Sequence, residues 1–518
     1  MATVIMAIAA ILVGRLLGPE LYGQYNLVLV VPTLLVLLTD LGINAGITKF
    51  AASLRVEGKG ESVPGIVRYG MYFRLLIGII VSILSLVFAN YLTALINRPD
   101  FTFYVQIASI STIFQVIFGT ANSAFVGLDK SEYNALTTNI QATAKTILQI
   151  LLVLLGFNVT GALIGYVGGF IVASILGAII LFFRLLKPAE KSKAAPPHEG
   201  GYSQVLKLLA RYGMPIYVSV VLAGLLPLYQ QVVLAFFASD AAIGNFRAAA
   251  NFLTLLSIVP SSITTALLPA FSKLESSKTE KVNVFFKRAN KYTCLLIVPT
   301  TTLIVLFSKQ IVQIIYGSGY TSASLFLSLG SLVYFLVIIG HLSLTSLFNG
   351  IGETRLTLNV TIINFLVLLI LSPILAAAYD VVGAIMAALI AGISAASYSA
   401  YIASRKLKVQ FDFGPTLRIY AISIFSSAIP LLLLFFTSLH SAIVLVAGTA
   451  SYLMIFVTLM PLAGITGQKE LKTLMQVTSK IPILKHVTRP VLEYQRRVIL
   501  RFGGPRKSAT QNSTGVEQ

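Results

Sequence analysis

Apolar runs of about 20 residues recur along this 518-residue chain, separated by short charged or Gly/Pro-rich breaks. A run of that length crosses a hydrocarbon core about 30 Å thick when it is helical. Lipid offers no hydrogen bonds, so each backbone polar group needs a partner within its own segment, and that requirement selects helices. Charged residues are 11% of the chain, against about 25% in soluble domains. A water-exposed fold of this size would lack the polar surface it needs. The fold class that follows is an all-α polytopic membrane protein.

The runs give fourteen candidate spans, near 2–14, 25–48, 70–92, 101–127, 134–156, 160–183, 212–236, 247–270, 292–308, 322–347, 357–377, 381–402, 419–437 and 441–463. At 1.5 Å per residue the first is too short to cross unaided, and its expected start lies upstream unless the helix is clipped. No basic n-region precedes residues 2–13 and no convincing Ala-x-Ala site follows, so no cleavable signal peptide is expected. Orientation follows from Lys and Arg. Thirty-two of the 38 fall after even-numbered spans or in the tail. Segments after odd-numbered spans hold Arg15, Arg98, Arg247 and Lys309, while Arg74 and Lys145 lie within spans. The expectation is a multi-pass protein of the cell membrane with both termini cytoplasmic. The net charge of +20 then reads as topology determinants facing anionic membrane lipids, and no nucleic-acid partner is implied.

The second half repeats the first. Ser123-Ala-Phe-Val-Gly127 returns as Ser346-Leu-Phe-Asn-Gly350, and Gly161-Ala-Leu-Ile as Gly383-Ala-Ile-Met. Gly23-Gln-Tyr25 answers to Gly244-Asn-Phe246, and Phe50 to Phe271, at offsets of 223, 222, 221 and 221. Two apolar halves in one order suggest a duplicated transporter body. The division expected is a six-helix lobe over 1–186, a cytoplasmic linker over 187–207, a second six-helix lobe over 208–405, two further helices over 406–465 and a basic cytoplasmic tail over 466–518. In the tail, Leu471, Leu474 and Met475 among Lys469, Lys472 and Lys480 suggest a surface helix broken by Pro482 and Pro490, with a disordered end after Gly503.

Nothing in the sequence supports covalent chemistry. His198, His341, His440 and His486 lie in separate segments without metal-ligand spacing, and no Asp-x-Asp pair, nucleophile elbow or P-loop occurs. No catalytic residue, metal or cofactor is expected. Cys294, the one cysteine, reads as packing. Asn158-Val-Thr160 reads as a chance glycosylation sequon.

Ionisable groups inside a membrane are costly and mark pathways by default. Lys145 lies near the middle of the fifth span, and Gln141, Lys145 and Gln149 share one helix face at i, i+4 and i+8. That stripe either lines a central cavity and holds an anionic group, or Lys145 snorkels or makes a static contact. Arg15 and Arg247, at the outer ends of the first and eighth spans, serve either an outer cavity or interfacial anchoring. Asp40 is the candidate for H⁺ or Na⁺ coupling, against structural pairing with Arg15 or Lys145. Arg74 reads as snorkelling. Tyr229-Gln230-Gln231, Asn359 and Asn364 suit helix–helix hydrogen bonds.

Gly14-Arg-Leu-Leu-Gly18-Pro-Glu-Leu-Tyr-Gly23-Gln-Tyr25 resembles the segment after the first helix of the polysaccharide exporters, the oligosaccharide flippases of the multidrug/oligosaccharidyl-lipid/polysaccharide superfamily. Asp40-Leu-Gly42, Leu268-Pro-Ala-Phe-Ser272, Gly350-Ile-Gly-Glu-Thr-Arg355 and Val382-Gly-Ala-Ile-Met386 are similar matches, and together they cover roughly residues 10–405. The resemblance implies two six-helix lobes around a cavity that opens alternately to each side. It implies a polyprenyl- or dolichyl-linked oligosaccharide as cargo, with Lys145 and Arg15 suited to its phosphate or pyrophosphate. A multidrug/cation antiporter of the same superfamily is the alternative, and it would need an acidic ion site such as Asp40.

Overall fold

The computed structural model describes residues 2–186, 201–274, 279–436, 439–468, 471–472, 475–476 and 482–502. Helices α1 (Ala2–Val28), α2 (Val30–Thr39), α3 (Ile43–Val56), α4 (Val63–Val87), α5 (Thr102–Gly127), α6 (Ser131–Leu152) and α7 (Asn158–Ile179) build the first repeat. After it come α8 (Gly201–Phe237), α9 (Asp240–Leu256), α10 (Ile258–Ser272), α11 (Thr279–Ile315), α12 (His341–Gly350), α13 (Thr354–Lys406), α14 (Phe413–Ser426), α15 (Ser441–Leu462) and α16 (Pro482–Phe502). No strand occurs among the described residues.

The outward face of these helices is apolar and the inward face carries the polar groups. On α4, Leu76, Ile80, Ile83 and Val87 are exposed, while Arg74, Ser82 and Ser85 are buried. Ser82 donates to the carbonyl of Ser109 on α5 at 2.9 Å. Hydrocarbon is the solvent such a helix expects, because the hydroxyls bond between helices and the aliphatic side chains meet lipid.

Among the described residues, ten helical runs are long and apolar enough to cross a membrane, eleven if the pair Ala323–Ile339 and His341–Gly350, bent by 57°, is one span. Two of the ten, Ser131–Leu186 and Thr354–Lys406, have 56 and 53 residues. At 1.5 Å per residue each is more than twice the hydrocarbon thickness. Each contains a backbone reversal: Asn158 has φ 46 and ψ −128, and Asp380 has φ 56 and ψ −136. The flanking helices pack antiparallel, Gln149 donating to the Ala162 carbonyl at 2.9 Å in the first. Gly383 lies hard against the Leu375 carbonyl in the second. The expected fourteen spans require both hairpins and a third break, at Gly18 (φ 74, ψ 171) before Pro19. That break sits where the sequence suggested an inter-helix segment to Tyr25, but helix resumes at once, since proline is preset for a helix's first turn.

The repeat is visible in the backbone. Asn158 and Asp380 are repeat partners in the same rare conformation. Asp129 and Gly352, also partners, both have positive φ, 53 and 77.

Contacts divide the chain into two compact units. Unit 1 comprises Met1–Leu255, Ile315–Gly330 and Phe365–Ala391, so it holds the whole first repeat and three stretches of the second. Its core joins Ile43 and Ile47 of α3, Ile66 and Val67 of α4, Phe125 of α5 and Leu209 of α8. Unit 2 comprises Leu256–Ile314, Ser331–Asn364 and Gly392–Gln518. Within it Phe271, Phe286, Leu344 and Phe348 form one core, and Cys294, Ile419, Tyr452 and Phe456 another.

Of the expected linker, residues 187–200 lie outside the described residues and 201–207 open α8. In the tail, Leu474, Lys469, Lys480 and the segment after Gly503 lie outside them too. Pro482 starts α16 and Pro490 sits inside it, so Pro490 does not break that helix. The helix rests on α15, where Gln495 donates to the Val457 carbonyl at 3.2 Å.

Candidate functional site

Lys145 sits on the inward face of α6, in the first hairpin. Gly169 on α7 permits this: a Cβ there would come 2.5 Å from the Lys145 Cβ. The ammonium lies 5.0 Å from the ring centroid of Tyr166, also on α7. No carboxylate pairs with it among the described residues. A cation over an aromatic face gains about 0.5–2 kcal/mol, which orients the group without neutralising it.

Gln141 and Gln149 are both buried, on the same face as expected. The Gln149 amide is committed to packing, because its Nε2 bonds Tyr25 at 2.7 Å as well as the Ala162 carbonyl. Gln149→Leu should therefore destabilise the protein by about 1–3 kcal/mol, the cost of stranding two buried polar groups. A lower thermal midpoint with unchanged shape on gel filtration is the expected readout.

Tyr25 leads to the second cation. It lies within electrostatic reach of both Tyr166 and Arg247. The Arg247 Nε donates to Asn26 Oδ1 at 3.0 Å, and Asn251, one turn on, bonds Tyr22 at 2.8 Å and Tyr316 at 3.1 Å. Arg247 has no ion-pair partner among the described residues. Lys145 and Arg247 thus flank a cluster of tyrosines and asparagines in unit 1, a place suited to an anion. The sequence offered the two cations and missed the ring of Tyr22, Asn26, Tyr166, Asn251 and Tyr316 around them. Tyr25, at the centre, had appeared only within a motif.

The same region holds a contact between repeat partners. Asn26 and Arg247 are 221 residues apart, the repeat offset. Gly23 and Gly244, also partners, abut so closely that a Cβ on either would overlap the other's segment, at the Asp240 carbonyl or the Pro19 carbonyl. Both contacts thus join repeat-equivalent positions within unit 1. Beside them Arg98 clamps Asp240 (Nε to Oδ1 3.0 Å) and the Ala238 carbonyl (2.7 Å), and Gln24 reaches the other Asp240 oxygen at 3.2 Å.

Asp40 lies apart from this cluster in its bonding. Asp40 sits at the break between α2 and α3, where Leu41 (φ 48) and Gly42 (φ 78) turn the chain. One oxygen accepts from the Asn44 amide at 3.1 Å, capping α3, and approaches Arg74 Nε at 3.9 Å. Arg74 also donates to Thr39 at 3.0 Å. The partner of Asp40 is therefore Arg74, not Arg15 or Lys145. Arg74 is 2% exposed and does not snorkel. Arg15 is exposed on α1. In the second half, Tyr229 bonds the Leu369 carbonyl at 2.7 Å and Gln230 the Ala384 carbonyl at 3.4 Å, as interhelical polar residues do. No group of three metal-ligating side chains occurs among the described residues.

The fold is similar to those of solved transporters. A lipid II flippase, MurJ, in an inward closed conformation superposes with TM-score 0.66 at 18% identity, over 89% of this chain and 97% of that one. An inward-facing multidrug resistance MATE family transporter of the MOP superfamily gives 0.64 at 17% identity, over 78% and 94%. A MOP superfamily transporter from Pyrococcus furiosus gives 0.50 at 17%, over 79% and 95%. No curated protein matches the sequence. Residues 1–275 match the family described as polysaccharide biosynthesis protein, and they include the hairpin of Lys145 and the segment of Arg247. The chain belongs to that family, and its fold is similar to that of the solved flippase and multidrug transporters.

Proposed function

We propose that the protein flips a polyprenyl- or dolichyl-linked oligosaccharide from the cytoplasmic to the outer face of the cell membrane, by alternating access, for polysaccharide or glycan biosynthesis. The carrying observation is the pair Lys145 and Arg247, two inward-facing cations of unit 1 with no carboxylate partner among the described residues. Each sugar hydroxyl costs kilocalories to bury unpaired in hydrocarbon, and a phosphate costs more. A transporter of such a lipid needs a polar path for the headgroup with cations for its phosphate or pyrophosphate, while the isoprenoid stays in the bilayer. No bond is made or broken, so the protein is not an enzyme and calls for no cofactor.

With both termini cytoplasmic, Arg98 and Asp240 belong to the outer face, and the Gly23–Gly244 contact closes that side. The lobes over 1–186 and 208–405 would rock about this contact, helped by H⁺ or Na⁺. The antiporter reading draws on the MATE-like fold. It needs an acidic ion site, and Asp40 is already committed to Arg74 and the start of α3.

Depletion of the protein in its own cells tests the choice. A lipid-linked oligosaccharide should accumulate, protected from enzymes added outside and found by mass spectrometry of the lipid extract. An unchanged lipid-linked pool with falling drug efflux would instead favour the antiporter.

A further inference from the structure

The Lys145 site continues into a wall of aromatic and amide side chains that lies wholly within unit 1. Tyr166 packs edge-on against Phe170 one turn along α7, ring centroids 5.2 Å apart, and Phe170 meets Phe118 of α5 at 5.7 Å. Gln115, three residues before Phe118 on the same face, lies near the Tyr166 hydroxyl and donates to Ser111 at 2.9 Å. From α3, the Asn44 amide lies over Gly119, next to Phe118. Its Oδ1 is buried with no hydrogen-bond partner among the described residues. Phe118, Phe170, Gln115 and Asn44 are each partly exposed as whole residues. Lys145 is the one charge among these six side chains.

We infer that this wall seats a hexopyranose ring of the cargo's headgroup, its C–H face against Phe170 and Phe118 and its hydroxyls toward Gln115 and Asn44. The inference rests on the reading of Lys145 as the phosphate holder and adds what lies beside it. A pyranose is amphipathic in the sense this wall requires, with an apolar face and a rim of donors and acceptors. The side-chain amides of Gln115 and Asn44 bring the donors and acceptors that a sugar's hydroxyls require. A cationic drug would meet the same aromatics but would face the Lys145 ammonium with no carboxylate beside it. The wall also explains how headgroup and phosphate can be held at once: Tyr166 belongs to both, its ring under Lys145 and its edge against Phe170.

The test compares two lipids on the full-length protein in neutral phosphatidylcholine nanodiscs: polyprenyl pyrophosphate, and the same lipid bearing one N-acetylhexosamine. The wild type should prefer the sugar-bearing lipid about tenfold, the scale of one aromatic contact. Phe170→Leu and Phe118→Leu should erase that preference and leave the sugar-free lipid within about twofold, whereas Lys145→Ala weakens both lipids. The chain has no tryptophan, so Phe170→Trp supplies a single reporter. Its emission should shift with the sugar-bearing lipid only, and this arm decides the matter if the leucine variants do not fold. Equal binding of the two lipids to the wild type, or a preference that survives both leucine changes, overturns the sugar wall and leaves the Lys145 reading standing. Failure of both lipids to bind overturns the two together.

Discussion

Lys145→Ala should abolish export of the lipid-linked glycan, with transport falling by about 100-fold or more while the protein still inserts and melts near the wild-type temperature. The size follows from the environment. Truncating one member of a desolvated charge pair costs about 2–5 kcal/mol, and every 1.4 kcal/mol is tenfold. Stability should be spared for the opposite reason. The ammonium makes a cation–π contact but no ion pair within the described structure, so its loss strands no partner charge. Arg247→Ala makes a useful contrast, since it frees Asn26 at the contact between repeat partners and should affect both transport and stability. Lys145→Arg keeps the charge on a longer, planar group that cannot occupy the position the ammonium takes over Tyr166, so partial activity is expected. Cell-surface glycan measured beside the lipid-linked pool reads these effects. Normal surface glycan in the alanine variant would remove Lys145 from the site.

What the sequence could and could not reveal divides along a physical line. Offsets and faces are local properties, so they were legible. The repeat register near 222 reappears in the matched turns at Asn158 and Asp380, and the shared face of Gln141, Lys145 and Gln149 is where the periodicity put it. Partners across helices are not local. Arg74 meets Asp40 because α4 crosses the α2–α3 break, and 34 residues of chain separate them. No spacing rule reaches that far. Gln149 is polar and inward-facing, as the stripe suggested, yet Tyr25 and Ala162 consume its amide. Periodicity says which side of a helix a residue occupies, and only packing says whether its hydrogen bonds are already taken. The tyrosines around Arg247 were missed for a related reason: a tyrosine in an apolar run reads as lipid-facing or core until a second polar group is seen beside it.

Gly244→Val should expel the protein from the conformation described above. The wild-type glycine lets α9 abut Pro19 and Gly23 backbone to backbone, and any side chain there meets the Pro19 carbonyl oxygen with no flexible atom to give way. Two helix backbones in contact cannot yield by small adjustments, because packed interfaces have discrete arrangements rather than a continuum. The penalty applies only while the segments touch, so the substitution acts on an equilibrium. A cost of about 3 kcal/mol in the closed state shifts its population by more than 100-fold. A transporter that must pass through both states would then lose turnover, even though Gly244 contacts no cargo. The state itself can be read with cysteines at Gln24 and Asp240, whose side chains meet at 3.2 Å in the native protein. Cys294 is buried and offers no competing cross-link. The Gln24→Cys/Asp240→Cys pair should oxidise readily in the parent and poorly once Gly244→Val is added, with both variants equally well inserted. Gly23→Val, at the repeat-related position, should reproduce the result, because each glycine accommodates the other's segment. Cross-linking and transport that both survive the valine would mean that the contact is not one the transport cycle opens and closes.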